Sequence, residues 1–408
     1  MIATERESAP WRAAIEQLAG LERPSASDGE RQAAESIAGW LRELGCRAEV
    51  EQESAHGGYW WPIGLANTAA ALAALSALRA GGREGWRAPL ARAGATAVAT
   101  AAAAALWDDL GHGRRWFRRA VLPRRPTWNV VAHAGERSAA RTVVLIAHHD
   151  AAHSGLVFHP ALGRLGPRIA PRAHERSSHT LPILYAVWLG PVMIALGSLL
   201  GRRGLARAGA ALALAASAAM LDIGSRAVVP GANDNLSAVG VLIAIAAALR
   251  ERPVEGVRVL LVSTGSEESF SEGMQAFLER HGAELDHAST EFVCLECLGG
   301  AHLIVLEGEG MLRMRDYPPA MREALADAAA AAGVRIRRGL RTVAATDAVI
   351  ALRAGYRVVT LASVEDTKLP LNYHWPSDRP EALHWQTIED AIAVCERFIS
   401  RRAASRAG

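Results

Sequence analysis

The stretch from Tyr59 to Leu78 runs about twenty residues without a charged side chain, the length at which a helix crosses a hydrocarbon layer. Three more apolar stretches follow: Ala93 to Trp107, Leu181 to Leu200 and Leu205 to Ile223. Each must be buried in a soluble core or placed in a membrane. Tyr59, Trp60 and Trp61, at the head of the first, are ring types that settle at membrane interfaces. Leu181 to Leu200, rich in Leu, Ile and Val, is the strongest spanning candidate. The alanine-rich Ala93 to Trp107 and Leu205 to Ile223 are marginal, and buried soluble helices compete as a reading for them. The composition agrees: of 408 residues 50% are hydrophobic but only 5% aromatic, and the excess is alanine. Such a balance excludes disorder, collagen and a disulfide-knit miniprotein.

The net charge is +3, and of the 45 basic residues only Lys368 is not arginine. The one dense basic run, Arg114 to Arg125, is too little for a nucleic-acid surface, so no nucleic-acid partner is expected. Cys46, Cys294, Cys297 and Cys395 are too few and too scattered for a disulfide framework. Cys294 and Cys297 form a CxxC, but Phe292 to Leu298 reads as a strand, which favours buried thiols over a redox pair. The first 58 residues carry charges such as Glu5, Arg6 and Glu7 and no apolar core, so no signal peptide is expected. No feature sets an oligomeric state.

Around the apolar stretches the texture is α/β. Trp11 to Leu21 and Asp28 to Leu44 read as amphipathic helices, the second capped by Ser27 or Asp28, and Arg47 to Glu51 reads as a strand. Thr142 to Ala147 and Val257 to Ser263 are β-rich, and Leu236 to Arg250 is helical.

Side chains able to bind metals cluster where these strands end, which is where open α/β sheets hold their ligands. Val143 to Ala147 leads into His148, His149 and Asp150, so strand alternation lets His148 bind a metal while Asp150 orients it; a plain histidine-rich loop is the alternative. Asp234, in the Gly-rich GANDNLSAVG turn, is either a ligand or a helix cap. Glu267 and Glu268 follow Gly265 past another strand. Adjacent acids there project differently, one toward a cation and one toward a water, unless they merely begin a solvated helix. Glu296 stands in an otherwise apolar strand, where an unpaired charge costs on the order of several kcal/mol. His374 lies in the loop NYHWPSD, where a lone histidine is commonly structural.

Taken in order, HxD, GAxDNxS, GxEE, an acid in a strand and YHxPxD resemble the co-catalytic di-zinc aminopeptidases of metallopeptidase clan MH, peptidase family twenty-eight, over about residues 126 to 398. The resemblance implies an α/β fold with a mixed central sheet flanked by helices, two zinc ions and a peptide substrate. It implies that His148 and Glu296 bind one zinc, Glu268 and His374 the other, and Asp234 both. Glu267 would be the general base, Asp150 the partner of His148, and Tyr373 a group steadying the oxyanion. Asp347, in AATDA, resembles an organising position of the family. His149 and His153 read as supporting or surface residues. Three departures stand out: Glu296 replaces the usual Asp, Ser266 the usual Ala, and about 80 residues separate His148 from Asp234, which the family keeps close.

If His148 and Asp234 serve one metal pair, the chain between them leaves and returns on one side of the membrane, so it holds an even number of spans. Residues 181–200 therefore pair with 205–223 inside an insertion over residues 156–229 of the peptidase domain at residues 126–398. A first hairpin over residues 58–108 follows residues 1–57, the N-terminal helical part of the catalytic domain. Four spans in two hairpins are expected, with both termini on one face. Arginines at 114–125 and 164–176 favour a cytoplasmic catalytic domain, whereas the first span alone argues the reverse. The expectation is a membrane-anchored zinc aminopeptidase. Another zinc amide hydrolase or cyclase on the same scaffold, or a silent receptor with a peptidase fold, are the alternatives.

Overall fold

The computed structural model describes residues 9–80 and 86–404; Glu5 to Glu7 and Arg83 of the first interhelical turn lie outside them. Seven strands form the main sheet: β1 (Arg47–Ala55), β2 (Arg125–Gly135), β3 (Thr142–His148), β4 (Arg258–Thr264), β5 (Thr290–Glu296), β6 (His302–Val305) and β7 (Arg357–Val364). Their spatial order is β1-β2-β4-β3-β5-β7-β6. The four central strands β4, β3, β5 and β7 run parallel, while β1, β2 and β6 join antiparallel at the two sides. The central strands read as unbroken Val, Ile and Leu runs because helices cover both faces, and β3 is buried along its whole length.

Helices α1 (Pro10–Ala19) and α2 (Asp28–Glu43) share one core with the sheet, with α8 (Ser237–Glu251) and with α12 (Trp385–Ala404). The Ser27 side chain caps α2 by accepting from the Glu30 amide. Glu30, fully buried, accepts from Thr127 on β2 and from Ser266 beyond β4, tying the N-terminal helices to the loop after β4. Strand β1 runs past the expected end at Glu51 to Ala55 because β2 pairs with it throughout. The sequence reading contained no β2; Arg125 and Pro126 obscure its start. Pro126 is tolerated there because β4 pairs only from Val130 onward.

All four apolar stretches are helical: α3 (Trp60–Ala80), α4 (Arg87–Leu110), α6 (Ile183–Leu199) and α7 (Arg203–Ser225). They pack as a bundle with a core of its own, in which α3 lies against α4 and α7, and α6 against α4 and α7. Helices α3, α4 and α7 are long and apolar enough to cross a membrane. So, by length and composition, is Ala232–Glu251, but it is 83% buried because it is α8 with its leading turn, sandwiched in the catalytic core. With 17 residues, α6 is about 26 Å long.

The bundle core mixes alanines with Ile63, Leu106, Ile194 and Met220, while several leucines face outward. Ala66, Ala70, Ala74, Ala99, Ala210 and Ala213 face its centre, whereas Leu65, Leu72, Leu90, Leu196, Leu214 and Leu221 point outward. Small residues let the backbones touch: a Cβ on Gly190 would lie 2.9 Å from the Ala213 amide nitrogen, and one on Gly197 only 2.5 Å from that of Ala206. The alanine excess is thus a helix-packing surface.

Of the interfacial ring cluster, only Trp61 is well exposed; Tyr59 packs on Phe270 and Trp60 on His153. The basic run also differs from its sequence reading as a free catalytic-side patch. Arg118, fully buried on α5 (Trp116–Val121), pairs with Asp109 at 3.0 Å and donates to the Ser269 carbonyl at 2.5 Å, and neighbouring Arg115 donates to that of Phe270. Both guanidinium groups approach Glu272, at the start of α9 (Glu272–His281), within 3.6 to 3.7 Å. Glu272 also accepts from the His56 amide and ring at 2.9 Å and from Ser269. This buried network latches the first hairpin to the segment just after Glu267 and Glu268.

Burial alone would raise the Glu272 pKa, but the His56 hydrogen bond and the charges of Arg118 and Arg115 outweigh it and hold the group at about 2. Against an unfolded value of about 4.3, that depression is worth on the order of 3 kcal/mol. The stabilisation is complete above the unfolded pKa and is lost as pH falls toward about 2. Glu272→Gln should therefore melt well below wild type at pH 7 in thermal unfolding, with the gap closing below about pH 4. A gap independent of pH would contradict the ionised latch.

Candidate metal centre

The parallel strands deliver the candidate ligands at one edge of the sheet. His148 is the last residue of β3, Glu267 and Glu268 lie three and four positions past Thr264 of β4, and Glu296 is the last residue of β5. Glu296 thus stands at a strand end beside the site; the expected strand over residues 292–298 is shifted, and Cys297 and Leu298 lie beyond it. Asp234 sits in the turn before α8, behind a cis Asp234–Asn235 peptide bond, and His374 in the loop after β7.

Asp234 occupies the middle. Its Oδ1 lies 3.2 Å from His148 Nε2 and its Oδ2 3.2 Å from His374 Nε2. Glu296 Oε1 is 3.6 Å from His148 Nε2, and Glu268 Oε2 is 3.2 Å from His374 Nε2. Two triads of possible ligand atoms result, His148–Asp234–Glu296 and Asp234–Glu268–His374, each with its atoms within 4.8 Å of one another. A third grouping, His148–Glu267–Glu268, overlaps both. Glu267 Oε2 stands farther off, 3.9 Å from His148 Nε2.

Electrostatics test whether cations fit. Burial pushes His148 and His374 toward neutrality, yet their carboxylate partners raise both, His374 to about 10. Burial would raise Asp234, but the close approach of the two imidazoles holds it far below the usual range. Glu267, Glu268 and Glu296 are all raised, first by burial and then by one another or by neighbouring acids. Asp347 is raised by burial to about 7. The excess of buried negative charge calls for positive charge, and His148 Nε2 and Glu268 Oε1 are buried without a hydrogen-bond partner. His and carboxylate donors suit zinc, so the residues fit two such ions sharing Asp234.

The supporting residues explain the motifs. Asp150 accepts from the Glu267 and Glu268 amides at 3.0 and 3.1 Å and from Ser25 at 2.7 Å, and its Oδ1 lies 3.3 Å from His148 Nδ1. One carboxylate therefore fixes a ligand and the backbone of the acidic pair. In the GANDNLS turn, Asn233 accepts from the Gly299 amide, Asn235 from Cys297 and Ser237 from Leu298, so all three bind the turn to the end of β5. Ser266 in place of Ala supplies the hydroxyl that reaches Glu30.

Tyr373 stacks on the His374 ring at 3.8 Å, and Phe158 packs edge-on against that ring at 4.6 Å. Asp347 accepts from Thr264 and precedes α11 (Ala348–Ala354). His149 turns to Ser263, and burial lowers it to about 3; His153 bonds the Arg226 carbonyl. Neither belongs to a metal-competent group among the described residues. Cys294 and Cys297 are buried, free thiols raised well above their ordinary range by burial.

Three residues escaped the sequence reading. Arg23, fully buried, donates to the His149, Pro230 and Gly231 carbonyls and so clamps the ends of the insertion together. Asp378 accepts from the Asn233 and Asp234 amides at 2.7 and 3.1 Å. Glu309, raised by burial to about 8, accepts from the Thr346 amide next to Asp347. Only Asp378, the last residue of YHxPxD, carried a sequence signal.

Residues 219–399 match the family described as peptidase family M28. Among solved structures the chain is similar to a zinc aminopeptidase from Bacillus subtilis, at 13% identity and TM-score 0.53, covering 98% of this chain and 96% of that one. It is similar to a leucine aminopeptidase precursor from Bacteroides thetaiotaomicron, at 13% identity, TM-score 0.52 and coverage of 96% and 95%. A glutaminyl cyclase from Fimbriiglobus ruber is as near, at 14% identity, TM-score 0.54 and coverage of 96% and 93%. At such identities the likeness shows the fold. No curated protein matches the sequence significantly.

Because Asp378 orients Asp234 only through the backbone, Asp378→Asn should keep the fold and weaken zinc binding about 10- to 100-fold, the usual cost of losing an outer-shell partner. Competition with a chromogenic chelator measures it; unchanged affinity would remove Asp378 from the site.

Proposed function

We propose that this chain, whose residues 219–399 match peptidase family M28, is a zinc-dependent aminopeptidase held in a membrane by two helical hairpins. The observation that carries the reading is the split of Asp234 between His148 and His374, with the Glu267 carboxylate left outside both triads. Bound at the two triads, zinc would lower the pKa of a coordinated water and polarise the scissile carbonyl. Glu267, whose carboxylate lies beside both triads and whose pKa burial raises above its ordinary range, would serve as the base that takes a proton from the attacking water and passes it to the leaving amine. Asp150 holds the Glu267 and Glu268 backbone in place, and Tyr373 braces His374 by stacking on its ring.

The insertion supports an exopeptidase. Its residues 156–180 pack over the rim that carries His374: Phe158 covers His374, His159 packs on Trp375 at 4.7 Å, and Lys368 donates to the His174 and Ser177 carbonyls. A rim closed on that side suits a chain end better than a continuous strand. Cyclisation of an N-terminal glutaminyl residue is the second reading, favoured by the fold shared with the cyclases. A panel of aminoacyl amides, short peptides and a glutaminyl peptide separates the two.

Glu267→Gln should retain zinc by metal analysis and lose about 10²- to 10⁴-fold in turnover. His374→Ala should lose zinc. Full activity of the glutamine variant would sink the base assignment.

The many leucines on the outer surface of the bundle support membrane insertion, since water would favour burying them. The four native cysteines are buried, so single cysteines can be read cleanly. Positions 86 and 202, in the two turns, should label with an impermeant maleimide from one face, and positions 22 and 381 from the other. Labelling of all four from one face would refute the two-hairpin topology.

A further inference from the structure

A cavity of about 460 Å³ lies between the foot of the first hairpin and the catalytic domain. Glu268, a candidate ligand, forms part of one wall, beside Ala151 and Ala152, which continue from Asp150. The facing wall comes from Tyr59, Trp60, Trp61 and Leu65, and Leu122 closes a third side from the segment after α5. Tyr59 and Trp60 are fixed by their rings on Phe270 and His153, at 4.9 and 4.6 Å. Tyr59 and Trp60 line the same cavity as Glu268, which sets the aromatic wall opposite a member of the metal triads.

The cavity does not end at the protein. Trp61 and Leu65, one turn apart on α3, are 53% and 46% exposed, and Leu72 on the same helix is 59% exposed. The apolar wall is therefore continuous with the outward face of a helix long and apolar enough to span a membrane. Both wall segments, residues 59–65 and 121–122, border the first hairpin, whose latch through Arg118 and Glu272 sets their distance from Glu268. A volume of this size falls within the roughly 300–1,000 Å³ of small-ligand sites, enough for a bulky side chain and part of its backbone.

We propose that this cavity receives a large apolar side chain flanking the scissile bond, and that the substrates are peptides presented from the membrane interface by an apolar end. The inference rests on the peptidase reading and names its substrate class. Apolar walls give affinity to a long aliphatic or aromatic group, whereas the exposed Arg125 at the rim suits the polar backbone or a headgroup. A small N-terminal residue would leave the cavity unfilled.

The test uses the zinc-loaded full chain in detergent and in liposomes. Leu65→Ser with Leu122→Ser, neither residue touching the metal triads, should lower kcat/KM for Leu- and Phe-ended peptides at least about tenfold and leave Ala-ended ones within about twofold. Equal loss on both, or no loss, overturns the proposal. Independently of turnover, a non-hydrolysable peptide with a photoreactive apolar end should cross-link within residues 59–65 and 121–125, as read by mass spectrometry. Labelling confined to other segments overturns it too. If the protein cleaves no peptide yet labels there, the peptidase reading fails while the cavity assignment stands.

Discussion

The contact between His148 and Asp234 governs the rest of the molecule. Between these two residues, 3.2 Å apart, the chain leaves the catalytic domain, runs through α6 and α7 and comes back. A helical hairpin is the simplest excursion that departs and returns at one place. Arg23 draws its two ends together by bonding to the His149 carbonyl on one side and to the Pro230 and Gly231 carbonyls on the other. That guanidinium is fully buried, its pKa lowered by burial to about 10 against the pull of Asp378 and Asp150, so the clamp sits within the site's own electrostatic field.

A second coupling joins the first hairpin to the same centre. Glu272 collects His56, just before α3, and Arg115 and Arg118, just after α4, so both feet of that hairpin meet four residues beyond Glu268. Breaking one member of such a buried set leaves uncompensated charge, which is why networks of this kind fix geometry more firmly than they add stability. The hairpins are therefore joined to the catalytic part by short polar ties.

The sequence made the catalytic frame legible wherever function and patterning coincide. Buried parallel strands read as apolar runs, and His148, Asp150, Glu267, Glu268 and Glu296 stood out because charged side chains at the ends of such runs have few other uses. The two imidazoles that approach the Asp234 carboxylate, His148 and His374, were among those marked, whereas Asp378 behind its backbone was not. What stayed hidden depends on contacts distant in the chain. Arg23 lies far from any motif, and nothing local tells a clamping arginine from a surface one. Arg115 and Arg118 read as part of a basic patch because their acids, Asp109 and Glu272, come from a helix end and from beyond β4. Strand β2 was masked by the arginines and proline at its start.

The alanine-lined contact between α6 and α7 has a consequence for how the chain is made. An alanine-lined helix gains little from hydrocarbon, since each methyl removes so little surface from water, and α7 turns its alanines toward its neighbours. In a bilayer, such a helix would depend on a partner already there. In the second hairpin that partner comes first: α6, rich in leucine, isoleucine and valine, is synthesised ahead of α7 and offers Gly190 and Gly197 as the surface against which the later helix docks. The chain order thus places the more apolar helix ahead of the alanine-rich one that packs on it.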